Sequence, residues 1–150
     1  MIKIICIGKI KEKFYQEAIL EYKMRISKYT NIEIIELPDY NYDIKKTIAS
    51  EYNNIMKVLN KSDYNILLDI NGTELDSISF AKKIDETLNY NSNITFIIGG
   101  SYGVLDELKN IVNYRLSFSK MTFPHQLFRV ILLEQIYRAF KINHNEEYHK

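Results

Sequence analysis

The sequence predicts an α/β fold, a mostly parallel sheet with helices on both faces. Two observations carry this expectation. Five apolar, β-rich runs alternate with longer helical patterns, and strictly alternating strands and helices wind into a parallel sheet. The runs are also apolar throughout: ITFII and NILLDI show little polar–apolar alternation, as expected of strands covered on both sides.

The first run, Ile2–Ile7, is too short for a signal peptide and reads as a first strand. A helical pattern near 13–28 sets Phe14, Ala18, Ile19, Tyr22 and Ile26 on one side, with charged residues elsewhere. After the second run, Ile32–Leu37, the polar stretch Asp39–Asp43 is the best candidate for a mobile loop, and a helix follows near 44–59. The third run, Ile66–Ile70, contains Asp69 near its end; this residue is either a polar group for a sheet-end site or a turn former before Asn71-Gly72. Further helices are expected near 78–88 and 103–112, flanking the fourth run, Ile94–Ile98.

The fifth run, Leu116–Phe118, opens the stretch Leu116–Phe123, which Pro124 separates from a last helix near 126–140. That helix carries Leu127, Phe128, Val130, Ile131, Leu132, Leu133, Ile136, Tyr137, Ala139 and Phe140. One sheet face cannot cover so wide an apolar surface, which predicts a partner helix, most simply from a second copy of the chain. There is no repeat, low-complexity tract or linker, and 150 residues suit a single domain over 1–150.

With 46% hydrophobic and 26% charged residues, the composition excludes a disordered chain. The lone Cys6 has no disulfide partner, so a reducing cytoplasm fits. No run approaches the roughly 18 apolar residues that span a bilayer. The net charge of +1 argues against a protein that coats nucleic acid non-specifically. From Lys109 onward, however, there are seven Lys or Arg and three Glu, a net +4 that leaves the preceding residues at −3. A basic C-terminal third suits local contact with a polyanion.

Three of the five glycines, Gly99, Gly100 and Gly103, follow the fourth run within five positions. They are either a tight strand-to-helix turn that needs positive φ or a floor of bare backbone for a flat ligand. The dinucleotide fingerprint fails because Ile98 stands where its first glycine belongs, and no P-loop exists. His125, His144 and His149 lack the spacing of a zinc site, so no metal is expected; no Gly-x-Ser-x-Gly elbow occurs either. His125 and Arg129, four residues apart, share one helical face just after Pro124. Arg129 and Arg138 lie half a revolution apart, and Arg138 fits an ion-pair stripe with Glu134 and Lys141. The closing Tyr148-His149-Lys150 joins an aromatic ring, an imidazole and a cation, types that stack on bases and touch phosphates.

Taken together, IIGGSYG, LSFSKMTFPHQLFRVILLEQIYRAFKI and the closing YHK resemble the ribosomal RNA large subunit methyltransferase H family, of the SPOUT class of S-adenosylmethionine-dependent enzymes. The resemblance starts at MIKIICIGKIKEKFYQEAILEYKMRI and covers essentially the whole chain. It implies a C-terminal trefoil knot, an obligate homodimer, and methylation of N3 of a pseudouridine in a hairpin loop of 23S rRNA within the assembled ribosome. It also implies a methyl-donor pocket on Leu68, Gly99 and the run Phe118-Ser119-Lys120-Met121-Thr122-Phe123, to which Gly100 and Gly103 are added from the glycine turn. A uracil-type N3 is a poor nucleophile until its proton leaves, so the site needs a base or a cation that stabilises the imide anion. The candidates are His125, Arg129, Tyr148 and His149, the tail residues coming from the second subunit. Two other readings remain open: a flavodoxin-like nucleotide-binding module, and a non-catalytic ribosome-binding factor.

Overall fold

A computed structural model describes residues 1–150. Its strands are β1 (Ile2–Ile7), β2 (Ile32–Leu37), β3 (Tyr64–Glu74), β4 (Ile94–Ile98) and β5 (Tyr114–Ser117). They form one sheet in the order β2-β1-β4-β3-β5, with every pairing parallel. Parallel neighbours need a crossover between them. The helices α1 (Lys13–Ile26), α2 (Ile44–Val58), α3 (Ser77–Tyr90) and α4 (Asp106–Ile111) supply it, and α5 (His125–Asn143) closes the chain.

The absence of alternation in the strands follows from two cores. Successive side chains of a strand point to opposite faces. Ile4 and Cys6 therefore join the larger core with Phe96, α1, α3 and α5, whereas Ile5 and Ile7 join a smaller one with Ile97, Ile55 of α2 and Leu108 of α4. Helices cover both faces, as expected from sequence.

Four details add to or change the sequence reading. First, α5 packs between α1 and α3 in one layer on the sheet, and none of its large apolar side chains is exposed. Part of its apolar surface is thus covered within one chain, while Leu127, Val130, Ile131 and Tyr137 stay half-buried. Second, α1 buries Ile19 and Ile26, while Phe14 is 61% exposed. Third, the Asp39–Asp43 stretch is tied down. Tyr40 and Tyr42 stack, the Tyr40 hydroxyl accepts a hydrogen bond from Asn54 at 2.6 Å, and Asp43 caps α2 by accepting from the Lys46 N–H at 2.9 Å.

Fourth, β3 runs past the expected Ile70, but not continuously. Leu68 and Thr73 both pair with Leu116, so residues 69–72 arch out of the ladder. At Gly72 the arch lies so close to β5 that a Cβ would stand 2.7 Å from the carbonyl carbon and oxygen of Arg115. β5 ends at Ser117, one residue before the expected Phe118.

At the opposite rim, Asp63 ties the amino ends of three strands together. It accepts hydrogen bonds from Lys3 at 3.0 Å, Thr95 at 2.9 Å and Asn93 at 3.2 Å.

Candidate active site

The carboxyl ends of β3, β4 and β5 open into a cavity of about 440 Å³, a size ordinary for cofactor sites. Three segments build its wall: Leu68–Asn71 at the arch within β3, the glycine turn after β4, and the stretch from Ser117 at the end of β5 to Phe123. His125 and Phe128 from the first turn of α5 complete it. Of the residues expected to form a methyl-donor pocket, the cavity is lined by Leu68, Gly99, Phe118, Ser119, Met121, Thr122 and Phe123 from the resemblance, and by Gly100 and Gly103 from the glycine turn. Lys120 is exposed and does not line it.

The glycines serve different needs. Gly103 has φ +84° with no atom near a hypothetical Cβ, so conformation selects glycine there. At Gly99 a Cβ would stand 2.5 Å from Cγ1 of Val104. At Gly100 it would stand 2.7 Å from Oε1 and 2.8 Å from Cδ of Glu51, and closer still to Oε2. A side chain would thus be crowded at Gly99 by Val104, itself on the cavity wall, and at Gly100 by Glu51, leaving main chain at both positions. Within the cluster, positive φ is thus confined to Gly103, while all three glycines line the cavity.

After β5 the chain is shaped by its own serines. The Ser117 hydroxyl donates to the Ser119 carbonyl at 3.1 Å, and the Ser119 hydroxyl accepts from the Met121 N–H at 3.0 Å. Phe118 meets Phe128 edge-on at 5.2 Å, and Phe123 stacks on Phe128 at 5.8 Å. Asp69 combines both roles that the sequence left open. It lines the cavity, accepts from the Asn71 N–H at 3.0 Å and holds Arg115 at 2.6 Å. Burial works against its ionisation, but these bonds outweigh burial and keep the carboxyl below its ordinary value.

The four catalytic candidates separate in space. His125 is half-buried on the cavity wall; burial, reinforced by the charge of Arg129, holds its imidazole below the ordinary 6.5. Arg129 faces away from the cavity, contrary to the expectation of a common site with His125. It is 2% exposed, and its guanidinium donates to the Ile7 carbonyl at 2.8 Å, the Gly8 carbonyl at 2.6 Å and Glu36 at 2.7 Å. These bonds fasten α5 to the ends of β1 and β2.

The tail docks on α5 of its own chain. Tyr148 donates to Glu134 at 3.1 Å, lies edge-on to Tyr137 at 4.9 Å and has the Arg138 guanidinium 4.7 Å above its ring. Burial, with Glu134 beside it, pushes its hydroxyl up to about 12. His149 lies 3.2 Å from Arg138 and lines a second hollow of about 590 Å³, which shares Leu116, Phe118 and Phe123 with the first. Arg138 binds Glu134 at 2.6 Å, the ion-pair stripe read from sequence.

Sequence reasoning passed over Glu51 and Lys109. Lys109 lines the cavity from α4. Glu51 shares the buried face of α2 with Thr47 and Ile55, and a carboxylate four residues from each on an amphipathic helix was the available signal. No cluster of three or more His, Cys, Asp or Glu is placed to hold a metal, and no helix is long and apolar enough to cross a membrane.

Comparison with known proteins agrees with the resemblance. A family described as predicted SPOUT methyltransferase matches residues 1–149. The ribosomal RNA large subunit methyltransferase H of Fusobacterium nucleatum is 48% identical, with 99% of each chain covered. The proteins of that name from Clostridium perfringens and Caldicellulosiruptor saccharolyticus are 48% identical over 99% and 44% identical over 100% of each chain. A parallel α/β sheet, a cavity at its carboxyl rim and end-to-end similarity converge: the chain belongs to the SPOUT methyltransferase family, whose fold carries the C-terminal knot, among relatives named ribosomal RNA large subunit methyltransferase H.

Proposed function

We propose that this protein uses S-adenosylmethionine to methylate N3 of a pseudouridine in a hairpin loop of 23S rRNA, on the assembled ribosome, in the cytoplasm and as a homodimer. The observation that carries the reading is the cavity itself. Main chain at the glycine turn, Phe118 and Phe123 give it a partly apolar interior of about 440 Å³, a volume in the range of cofactor sites. S-adenosylmethionine supplies an electrophilic methyl group on its sulfonium. All else falls to the chain.

Methyl transfer is an in-line displacement, so the residues around the cavity act mainly by holding donor and acceptor aligned. Leu68, Gly99, Gly100, Gly103 and residues 118–119 and 121–123 hold the donor. His125 removes the N3 proton of the pyrimidine: its lowered pKa leaves the imidazole neutral, and able to accept a proton, near neutral pH. Tyr148 keeps its proton and acts as a hydrogen-bond donor. Arg129 positions the first turn of α5, which carries His125, through its bonds to Ile7, Gly8 and Glu36. In the homodimer the tail bearing Tyr148 and His149 contacts the RNA of the partner's site.

Mass spectrometry of 23S rRNA from a strain lacking this gene tests the reading. The N3-methyl group should be missing, and the intact gene should restore it. His125→Ala should lower the methylation rate about 10²–10⁴-fold while leaving donor affinity nearly unchanged. Normal methylation both by His149→Ala and by a chain ending at Glu147 would remove the tail from the mechanism.

A further inference from the structure

Glu51 is a buried ionisable group that the proposed reaction leaves unused. It is 4% exposed on α2. Its carboxylate lies against Gly100, so close that no Cβ fits between them, and Gly100 lines the cavity. A single layer of main chain thus separates this carboxylate from the ligand space. Only burial and the charge of Asp39 act on its ionisation; no hydrogen bond or cation compensates it. Glutamate is rarely buried unpaired. The cavity's other carboxylate, Asp69, is engaged by Arg115 at 2.6 Å. Lys109 and His125, the remaining ionisable side chains on the wall, offer a ligand cation nothing.

We propose that Glu51 is a specificity-determining residue: through the backbone at Gly100 it supplies the negative charge that favours the sulfonium donor over its neutral thioether product. The inference rests on the donor reading above. Donor and product share their adenosine, amino and carboxylate groups and differ by one methyl group and one positive charge at sulfur. An interaction that senses this charge therefore discriminates between them, and it strengthens as protein replaces water around the charge. Selectivity of this kind releases the spent product after transfer.

Proton linkage makes the idea measurable. Burial and Asp39 push the Glu51 carboxyl up to about 6. A bound sulfonium stabilises its ionised form and so expels a proton near that pH, whereas the thioether does not. Asp39 faces Glu51 from the segment between β2 and α2. Beyond the turn stand Lys109, paired with Asp106 at 3.4 Å, and His125, whose imidazole is held below its ordinary value by burial and the charge of Arg129.

The test is calorimetry of S-adenosylmethionine and S-adenosylhomocysteine binding from about pH 5 to about pH 7.5, with unaltered protein and with Glu51→Gln. In the unaltered protein the ratio of donor to product affinity should rise with pH, about tenfold for each pH unit by which the cation lowers the carboxyl's pKa. Donor binding should release a proton, seen by comparing buffers of different ionisation enthalpy. In Glu51→Gln the ratio should be flat, with product affinity kept within about twofold. An unchanged pH dependence in Glu51→Gln would assign the effect to His125 and overturn the proposal. A ratio independent of pH in the unaltered protein would overturn it whether or not the variant folds. Failure of S-adenosylmethionine to bind is a different result: it would overturn the donor reading and this inference with it.

Discussion

At residue scale, burial forces each polar side chain to find a partner or change its protonation state. Arg129 finds partners. Its guanidinium is surrounded by two main-chain carbonyls and Glu36, and only Nε lacks an acceptor. Removing one member of such a buried cluster strands the rest. Arg129→Ala should therefore lower stability by about 3–5 kcal/mol, read as a shift in the urea midpoint at unchanged slope. Arg129→Lys should not restore it, because one ammonium cannot reproduce the planar fork that reaches three acceptors. His125 shows the other outcome. It has no charged partner of opposite sign, so its imidazole sheds the proton more easily than usual. The sequence placed both residues on one helical face; it could not say that one would face a cavity and the other the interior, because that depends on what packs around the helix.

At element scale, the glycines beside the cavity differ in why they are glycine, and the difference has measurable consequences. Gly103→Ala meets open space but must adopt positive φ, at a cost of about 1–2 kcal/mol. Gly72→Ala meets the backbone of Arg115 and Leu116 at 2.7–2.9 Å, which no rotamer change relieves. It should cost more, and it should disturb the Thr73–Leu116 pairing that closes the arch. Comparing the two melting temperatures checks the order; an equal loss would contradict it. The apolar runs located all five strands within a few residues. The arch at 69–72 escaped notice because nothing local distinguishes a strand that skips four residues from one that pairs continuously.

At the scale of the whole molecule, the rim opposite the cavity is held by Asp63. Burial opposes its ionisation, but hydrogen bonds from Lys3, Thr95 and Asn93 prevail and hold its pKa below the ordinary 3.8. A lowered carboxyl stabilises the fold above its unfolded-state value and loses that contribution as pH falls through the folded value. Asp63→Ala should thus be less stable by about 3–5 kcal/mol near neutral pH. The gap should narrow below about pH 3.8, as followed by urea unfolding across that range. The net charge of +1 on 150 residues bears on the substrate instead. With so little charge to neutralise phosphates, free RNA should bind weakly. Methylation should be efficient on ribosomes and poor on an isolated hairpin of the same sequence, compared at one salt concentration.

What the sequence determined by itself was everything set by local pattern. The positions of strands and helices, burial of the sheet on both faces, and the glycine turn after β4 all follow from runs of apolar residues and the conformational freedom of glycine. The motifs also marked most of the residues that line the cavity, because they fall at the arch of β3 and just after β4 and β5. The tertiary structure alone decided which strands are neighbours, that α5 finds its apolar cover between α1 and α3, that Arg129 is internal, and that Glu51 stands behind Gly100. Each of these depends on contacts between residues far apart in the chain, and local pattern carries no record of which distant surfaces will meet.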